Sequence, residues 1–307
     1  MGKIKKYEGL VAAPFTPMDN EGKLNLSLIP EYYSFLQKNY VSGAFINGTT
    51  GEGVSLSQKE KQQTVEKWAQ CLRSGGKMRI INLVGGTCYE ECIENAIHSK
   101  EAGISAIAVL APFYFKPDEV RLAEFIARVG ESVPDMPVYF YHIPLFTGVD
   151  IPMEGLLKRV SGMLPNFAGI KYSHGDISDF MSCLSYESGR YDILWGREEC
   201  LLAALSVGGK GSIGSTYNYA APLYSALLQA FNEGRPDSAK RLQQISVNIV
   251  GLLDKYGGIS TGKAFMRYIG IDCGMFRLPV KNLTEDMYSE FVKDVKRLNI
   301  DNLFSRL

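Results

Sequence analysis

Ala106-Ile107-Ala108-Val109-Leu110, the amphipathic stretch from Glu119 to Val129, and Val138-Tyr139-Phe140-Tyr141 together decide the fold. Two short apolar runs flank a segment of helical periodicity. Each run is too short for a buried helix but suits a strand covered on both faces. Strands joined through a helix pair in parallel. The alternation continues in both directions. Apolar runs stand at Gly9 to Ala13, Ala44 to Asn47 and Arg79 to Val84 before this unit, and at Ala168 to Lys171, Asp192 to Trp195 and Gly211 to Ile213 after it. That makes about eight strand candidates with helical segments between them. One such segment is Ser57 to Leu72, whose Ser57-Gln58-Lys59-Glu60 opening has the pattern of a capping box. Eight strand–helix units favour closure over an open doubly wound sheet, and no glycine-rich dinucleotide fingerprint follows the first strand. The expected fold is an α/β (β/α)₈ TIM barrel.

After about Ala220 the strand signals stop, and helices are predicted over Pro222 to Asn232, Ser238 to Leu253, Gly262 to Ile269 and Thr284 to Leu298. One of them closes the barrel, which leaves a C-terminal helical extension. No Ser/Gly/Pro-rich linker separates it. The expected organisation is therefore a catalytic barrel over 1–222, with the closing helix and extension over 223–307 as part of the same unit.

Composition narrows the function classes. Of 307 residues, 46% are hydrophobic and 21% charged, which suffices for one large core. Lys and Arg total 33 against 33 for Asp and Glu, so net charge draws in neither nucleic acid nor an anionic membrane. A small-molecule partner is expected. The opening Met1-Gly2-Lys3-Ile4-Lys5-Lys6-Tyr7-Glu8 has no apolar stretch for a signal peptide or span, and Lys6 stands where myristoylation wants Ser or Thr. A cytoplasmic location is expected. The six cysteines, at 71, 88, 92, 183, 200 and 273, read as reduced thiols. Cys88 and Cys92 sit one helical turn apart, but the three histidines give no zinc spacing, so no metal is expected.

In a barrel of this kind the active site lies at the C-terminal ends of the strands, so the polar residues that end the apolar runs are the candidates. Lys171 ends Phe167-Ala168-Gly169-Ile170. An amine at an apolar barrel mouth loses hydration, which favours its neutral, nucleophilic form; alternatively it snorkels to solvent. Tyr141 ends the preceding strand, where a phenol could relay protons or simply pack. Asn47-Gly48-Thr49-Thr50-Gly51-Glu52-Gly53 follows the second strand and offers converging backbone N–H groups and two hydroxyls to a carboxylate, unless it is a plain tight loop. Gly196-Arg197-Glu198-Glu199 and Gly214-Ser215-Thr216-Tyr217-Asn218 follow the seventh and eighth strands. They suit a polyhydroxylated ligand, although the acidic pair could equally favour the N-terminus of the next helix.

These pieces together resemble the family of pyruvate-dependent class I aldolases that contains N-acetylneuraminate lyase and dihydrodipicolinate synthase. The likeness runs from Ala13-Pro14-Phe15-Thr16-Pro17 through Gly48 to Glu52, Pro112 to Tyr114, Tyr141 with Ile143-Pro144, and Gly169-Ile170-Lys171. It implies that Lys171 forms a Schiff base, that Thr49 and Thr50 hold a pyruvyl carboxylate, and that Tyr141 transfers protons. Tyr141 would be linked to Thr49 and to Tyr114, the latter reaching in from a neighbouring subunit of a homotetramer. Gly214 to Asn218 points to the neuraminate lyase branch. The loop Ile143-Pro144-Leu145-Phe146-Thr147-Gly148 lacks the arginine that binds a second carboxylate in the synthase branch.

By position, Ser173, Gly196, Glu198, Glu199 and Ser215 match residues that bind the sugar's hydroxyl tail. Glu198 stands where aspartate is usual, and His142 where asparagine is usual. The resemblance implies cleavage of N-acetylneuraminate, a sialic acid, to N-acetylmannosamine and pyruvate, with neither metal nor organic cofactor required. Two alternatives remain: another aldolase or dehydratase of the family acting on a different 2-keto sugar acid, or a catalytically silent keto-acid-binding barrel.

Overall fold

The computed structural model describes residues 4–307; residues 1–3, part of the opening read above for targeting signals, lie outside the described residues. Strands β1 (Gly9–Ala12), β2 (Gly43–Ile46), β3 (Arg79–Leu83), β4 (Ala106–Leu110), β5 (Val138–His142), β6 (Phe167–Tyr172), β7 (Asp192–Trp195) and β8 (Gly211–Gly214) form a closed parallel barrel in chain order, with β1 pairing both β2 and β8. Each of the eight expected runs is a strand, its ends displaced by at most one residue.

The surrounding helices are α1 (Ile29–Lys38), α2 (Gln58–Arg73), α3 (Tyr89–Ala102), α4 (Glu119–Glu131), the single turn α5 (Pro144–Thr147), α6 (Met153–Met163), α7 (Ile177–Ser185), α8 (Leu201–Ser206) and α9 (Tyr217–Asn232). The capping box forms at α2, where the Ser57 N–H donates to the Glu60 carboxylate at 2.9 Å and the Glu60 N–H donates back to the Ser57 hydroxyl at 3.4 Å. The extension comprises α10 (Pro236–Tyr256), α11 (Ser260–Tyr268) and α12 (Glu285–Arg297). The helix expected from Pro222 begins at Tyr217 instead, because a kink at Ala220 (φ −130°, ψ 29°) lets the proline ring clear the preceding turn. The barrel-closing helix thus straddles residue 222.

Two apolar layers result. Side chains such as Val11, Phe45, Ile81, Ala108, Leu194 and Ile213 fill the barrel interior, while a larger cluster lies between strands and helices. The alternation is broken once where it matters. The β5–β6 register slips, pairing Val138 with Phe167 but Tyr139 with Gly169. Ala168 therefore joins the interior, Ile170 faces the helices, and Lys171 comes round to the lumen. Gly169 allows this: a Cβ there would sit 1.8 Å from the Asp192 carbonyl oxygen.

At the N-terminal end of the barrel Asp192, 4% exposed, accepts hydrogen bonds from the Tyr7 N–H and the Tyr139 hydroxyl, both at 2.9 Å. Burial pushes its carboxyl up to about 6, against the pull of those two donors. A carboxyl raised in the folded state costs stability once it must ionise: the loss begins near the unfolded value of about 4 and is complete above about 6. Asp192→Asn should therefore gain on the wild type by roughly 3 kcal/mol between about pH 4 and 6. Chemical denaturation of both proteins across that window checks it, and a pH-independent difference would sink it.

Candidate active site

At the C-terminal ends of the strands opens a cavity of about 820 Å³, lined by Thr49, Thr50, Tyr141, Lys171, Ser173, Gly196, Glu198, Glu199 and Ser215. Every candidate site residue except Tyr114 is there. Tyr114 is 79% exposed and packs edge-on against Phe115, away from the cavity of its own chain.

Lys171 lies at the bottom, 4% exposed, its Nζ 3.9 Å from the ring centroids of both Phe45 and Tyr141. It makes no hydrogen bond or ion pair with any described residue. Burial brings its ammonium down to about 7, with the charge of Glu198 acting in the opposite sense. Tyr141 pairs with Lys171 across the β5–β6 register, so the two side chains enter the lumen side by side. The Tyr141 hydroxyl is 3.3 Å from Thr49 Oγ1. Burial pushes the phenol up to about 12, partly offset by hydrogen bonding with Thr49 and Ser173.

The threonine loop is held in a tight form. Asn47 and Glu52 are both left-handed (φ 55° and 58°), the Glu52 N–H donates to the Thr49 carbonyl at 3.1 Å, and the Gly53 N–H donates to the Gly48 carbonyl at 3.0 Å. Thr16 clamps the loop from β1's side through its hydroxyl, 2.6 Å from the Gly51 carbonyl oxygen.

The far wall is polar. Glu198, 8% exposed, accepts at Oε1 from the Ser215 hydroxyl (3.2 Å), the Thr216 N–H (2.9 Å) and the Thr216 hydroxyl (3.2 Å), so it bridges the β7 and β8 loops. Its carboxyl is raised by burial, with the Thr216 N–H opposing. Glu199 is held by Arg197 at 2.8 Å. The acidic pair does open the short turn before α8, but both side chains also line the cavity. Gly196 is required by close approach, since a Cβ there would lie 1.9 Å from Ser173 Oγ.

His142 does not line the cavity. Strand alternation turns it away from Tyr141 to the outside of the barrel, where it is 2% exposed and packs on Tyr172 and His174, with ring centroids 5.2 and 5.5 Å apart. Burial, then the nearby His174, lowers its imidazole to about 4. Lys210, which precedes β8, lies beside Lys6 and Asp192 at the opposite end of the barrel. His174, Arg197 and, from the extension, Val250, Asp254 and Ile259 also line the cavity; of these only Arg197 stands in a motif that the sequence marks for ligand binding. Arg197 is the guanidinium of the cavity wall, supplied by the β7 loop.

The chain is 39% identical over 291 residues to a protein named N-acetylneuraminate lyase from Gallus gallus, covering 93% of this chain and 94% of the relative. It is 37% identical over 301 residues to the Homo sapiens protein of that name, covering 96% and 93%. The solved structure of Proteus mirabilis N-acetylneuraminate lyase superposes with a TM-score of 0.93 at 34% identity, over 96% of this chain and 99% of that one. With the dihydrodipicolinate synthetase family matching residues 6–298, the chain belongs to that family.

Proposed function

We propose that this chain is a class I aldolase that cleaves N-acetylneuraminate to N-acetylmannosamine and pyruvate, with Lys171 as the Schiff-base amine. The observation that carries the reading is Lys171 itself, a buried amine without a hydrogen-bonding partner among the described residues, at the bottom of an open cavity with a polar far wall. Its proximity to Tyr141, whose hydroxyl meets Thr49, and the names of the relatives support it.

Lys171 Nζ attacks the C2 ketone of the open-chain sugar acid, and loss of water gives an iminium. Tyr141 takes the C4 hydroxyl proton as the C3–C4 bond breaks, and the bonding electrons move into the iminium to leave an enamine and the aldehyde N-acetylmannosamine. Protonation at C3 and hydrolysis release pyruvate and the free lysine. Thr49 and Thr50 hold the carboxylate. Ser173, Gly196, Glu198, Glu199 and Ser215 receive the hydroxyl tail; Glu198, with only Oε1 engaged among the described residues, retains an acceptor for it.

The reading includes a homotetramer in which the exposed Tyr114 serves a neighbour's site. It also includes a cytoplasmic location, which the six free thiols suit. No helix among the described residues is long and apolar enough to cross a membrane.

Borohydride treatment with pyruvate should leave a reduced pyruvyl adduct on the Lys171 peptide by mass spectrometry, and incubation with N-acetylneuraminate should release N-acetylmannosamine. An unlabelled Lys171 overturns the mechanism. A labelled Lys171 with roughly tenfold or greater preference for a different 2-keto sugar acid replaces the substrate alone.

A further inference from the structure

The extension meets the base of the threonine loop through a buried ion pair. Lys263 of α11 meets Glu52 with Nζ 2.9 Å from Oε1, and both side chains are 3% exposed. The partners come from opposite ends of the chain. Lys263 also donates to the Met275 carbonyl at 2.8 Å, and the second Glu52 oxygen accepts from the Arg277 N–H at 2.9 Å. The Arg277 guanidinium in turn grips Glu60 of α2 with two nitrogens, at 2.8 and 2.5 Å. Glu52 is thereby fixed at both oxygens by one stretch of the extension, residues 263–277.

Glu52 is no ordinary loop residue. It stands two positions after Thr50, adopts a left-handed conformation that a residue with a Cβ adopts reluctantly, and its N–H closes the turn onto the Thr49 carbonyl. A buried ion pair is a poor device for stability alone, because desolvating two charges offsets most of their attraction and apolar residues of similar volume serve as well. What it supplies here is a single geometry at the base of the threonine turn.

We infer that Lys263 is a positioning residue: through Glu52 it holds the Thr49–Thr50 loop in the form that receives the substrate carboxylate, so the C-terminal extension sets the affinity of the active site for the 2-keto acid. The ligand named here rests on the lyase reading above. The pair touches neither Lys171 nor Tyr141, so its direct effect is on carboxylate binding.

Lys263→Met and Glu52→Gln test this against Phe291→Leu, which thins the extension's core on α12, where Phe291 is fully buried, without touching the loop. In borohydride trapping, the first two variants should weaken half-saturation by pyruvate roughly tenfold, with the limiting trapping rate nearly unchanged, and should speed amide exchange over residues 47–53. Phe291→Leu should lower the melting temperature and leave both readouts at wild-type values. Glu52→Gln keeps the side-chain shape and an acceptor for Lys263, so it covers the case in which Lys263→Met does not fold. Unchanged half-saturation in Glu52→Gln, or an equal shift in Phe291→Leu, overturns the inference. Failure of the wild type to be trapped by pyruvate sinks the lyase reading instead, and amide exchange still decides whether the pair holds the loop.

Discussion

Lys171→Met is expected to abolish turnover and the pyruvate adduct while making the protein more stable. Methionine matches the lysine stem in length and apolar volume, so the contacts with Phe45 and Tyr141 survive, but no nitrogen remains to form the iminium. Without an electron sink, cleavage of the C3–C4 bond has no covalent route, and kcat/KM should fall by about four orders of magnitude or more. The gain in stability comes from the same burial that makes the amine reactive. A lysine whose ammonium is lowered to about 7 in the folded protein costs the fold most below pH 7, where the charged form must be buried. The cost shrinks as pH rises from 7 towards the ordinary lysine value and is gone above it. Below pH 7 Lys171→Met should exceed the wild type by several kcal/mol, on the order of 5 by that shift, converging near pH 10.5. Thermal melts at pH 6.5 and 9.5 read this. Equal melting temperatures at both would show that Lys171 is solvated, and the nucleophile argument would lose its basis.

How much of this was legible in the sequence follows from what each feature depends on. Parallel strands covered on both faces read as unbroken apolar runs, which is why Ala106 to Leu110 and its counterparts emerged within a residue of their bounds. The adjacency of Tyr141 and Lys171 needed only chain order in a barrel, since β5 pairs with β6. The rotation that aims Lys171 inward was not legible. Phe167-Ala168-Gly169 shows that a glycine is present, but the slipped register depends on the neighbouring strand.

His142 is a different case: period-two alternation from the inward Tyr141 places it outside the barrel, and that signal was available. Asp254 and Ile259 reach the cavity from an extension whose packing no local pattern encodes, and the Lys263–Glu52 pair behind the threonine loop links residues 211 positions apart. Glu198 reaches over Gly214, where a Cβ would lie 2.4 Å from its Cγ, to Ser215 and Thr216, contacts between two loops that no local pattern encodes.

Tyr141→Phe separates the steps that Lys171→Met removes together. The phenylalanine ring keeps the edge contact with Phe45, now 5.4 Å between centroids, and the face presented to Lys171, so the amine stays buried and should still condense with pyruvate. What is lost is the hydroxyl 3.3 Å from Thr49 Oγ1, and with it the path by which a proton leaves the C4 hydroxyl or reaches the enamine carbon. A positioned acid–base group contributes about 10²–10⁴-fold, so kcat for sugar cleavage should fall by that factor while borohydride trapping of pyruvate persists. Pyruvate alone gives the sharper readout. Exchange of its methyl protons in D₂O, followed by NMR, requires the iminium to become the enamine and return. It should be rapid in the wild type, slow in Tyr141→Phe and absent in Lys171→Met.

The pH profile of the wild type carries the same assignment. Activity should rise through about 7 as Lys171 loses its proton, then stay flat to about 11, because the phenol, held near 12, remains protonated throughout. A phenol so reluctant to ionise works by accepting the substrate proton as it passes its own to a hydrogen-bonded neighbour, which makes the contact with Thr49 part of the relay as well as of the carboxylate site. Undiminished methyl exchange in Tyr141→Phe would transfer the proton-moving role to another group and leave Tyr141 as a packing residue beside the lysine.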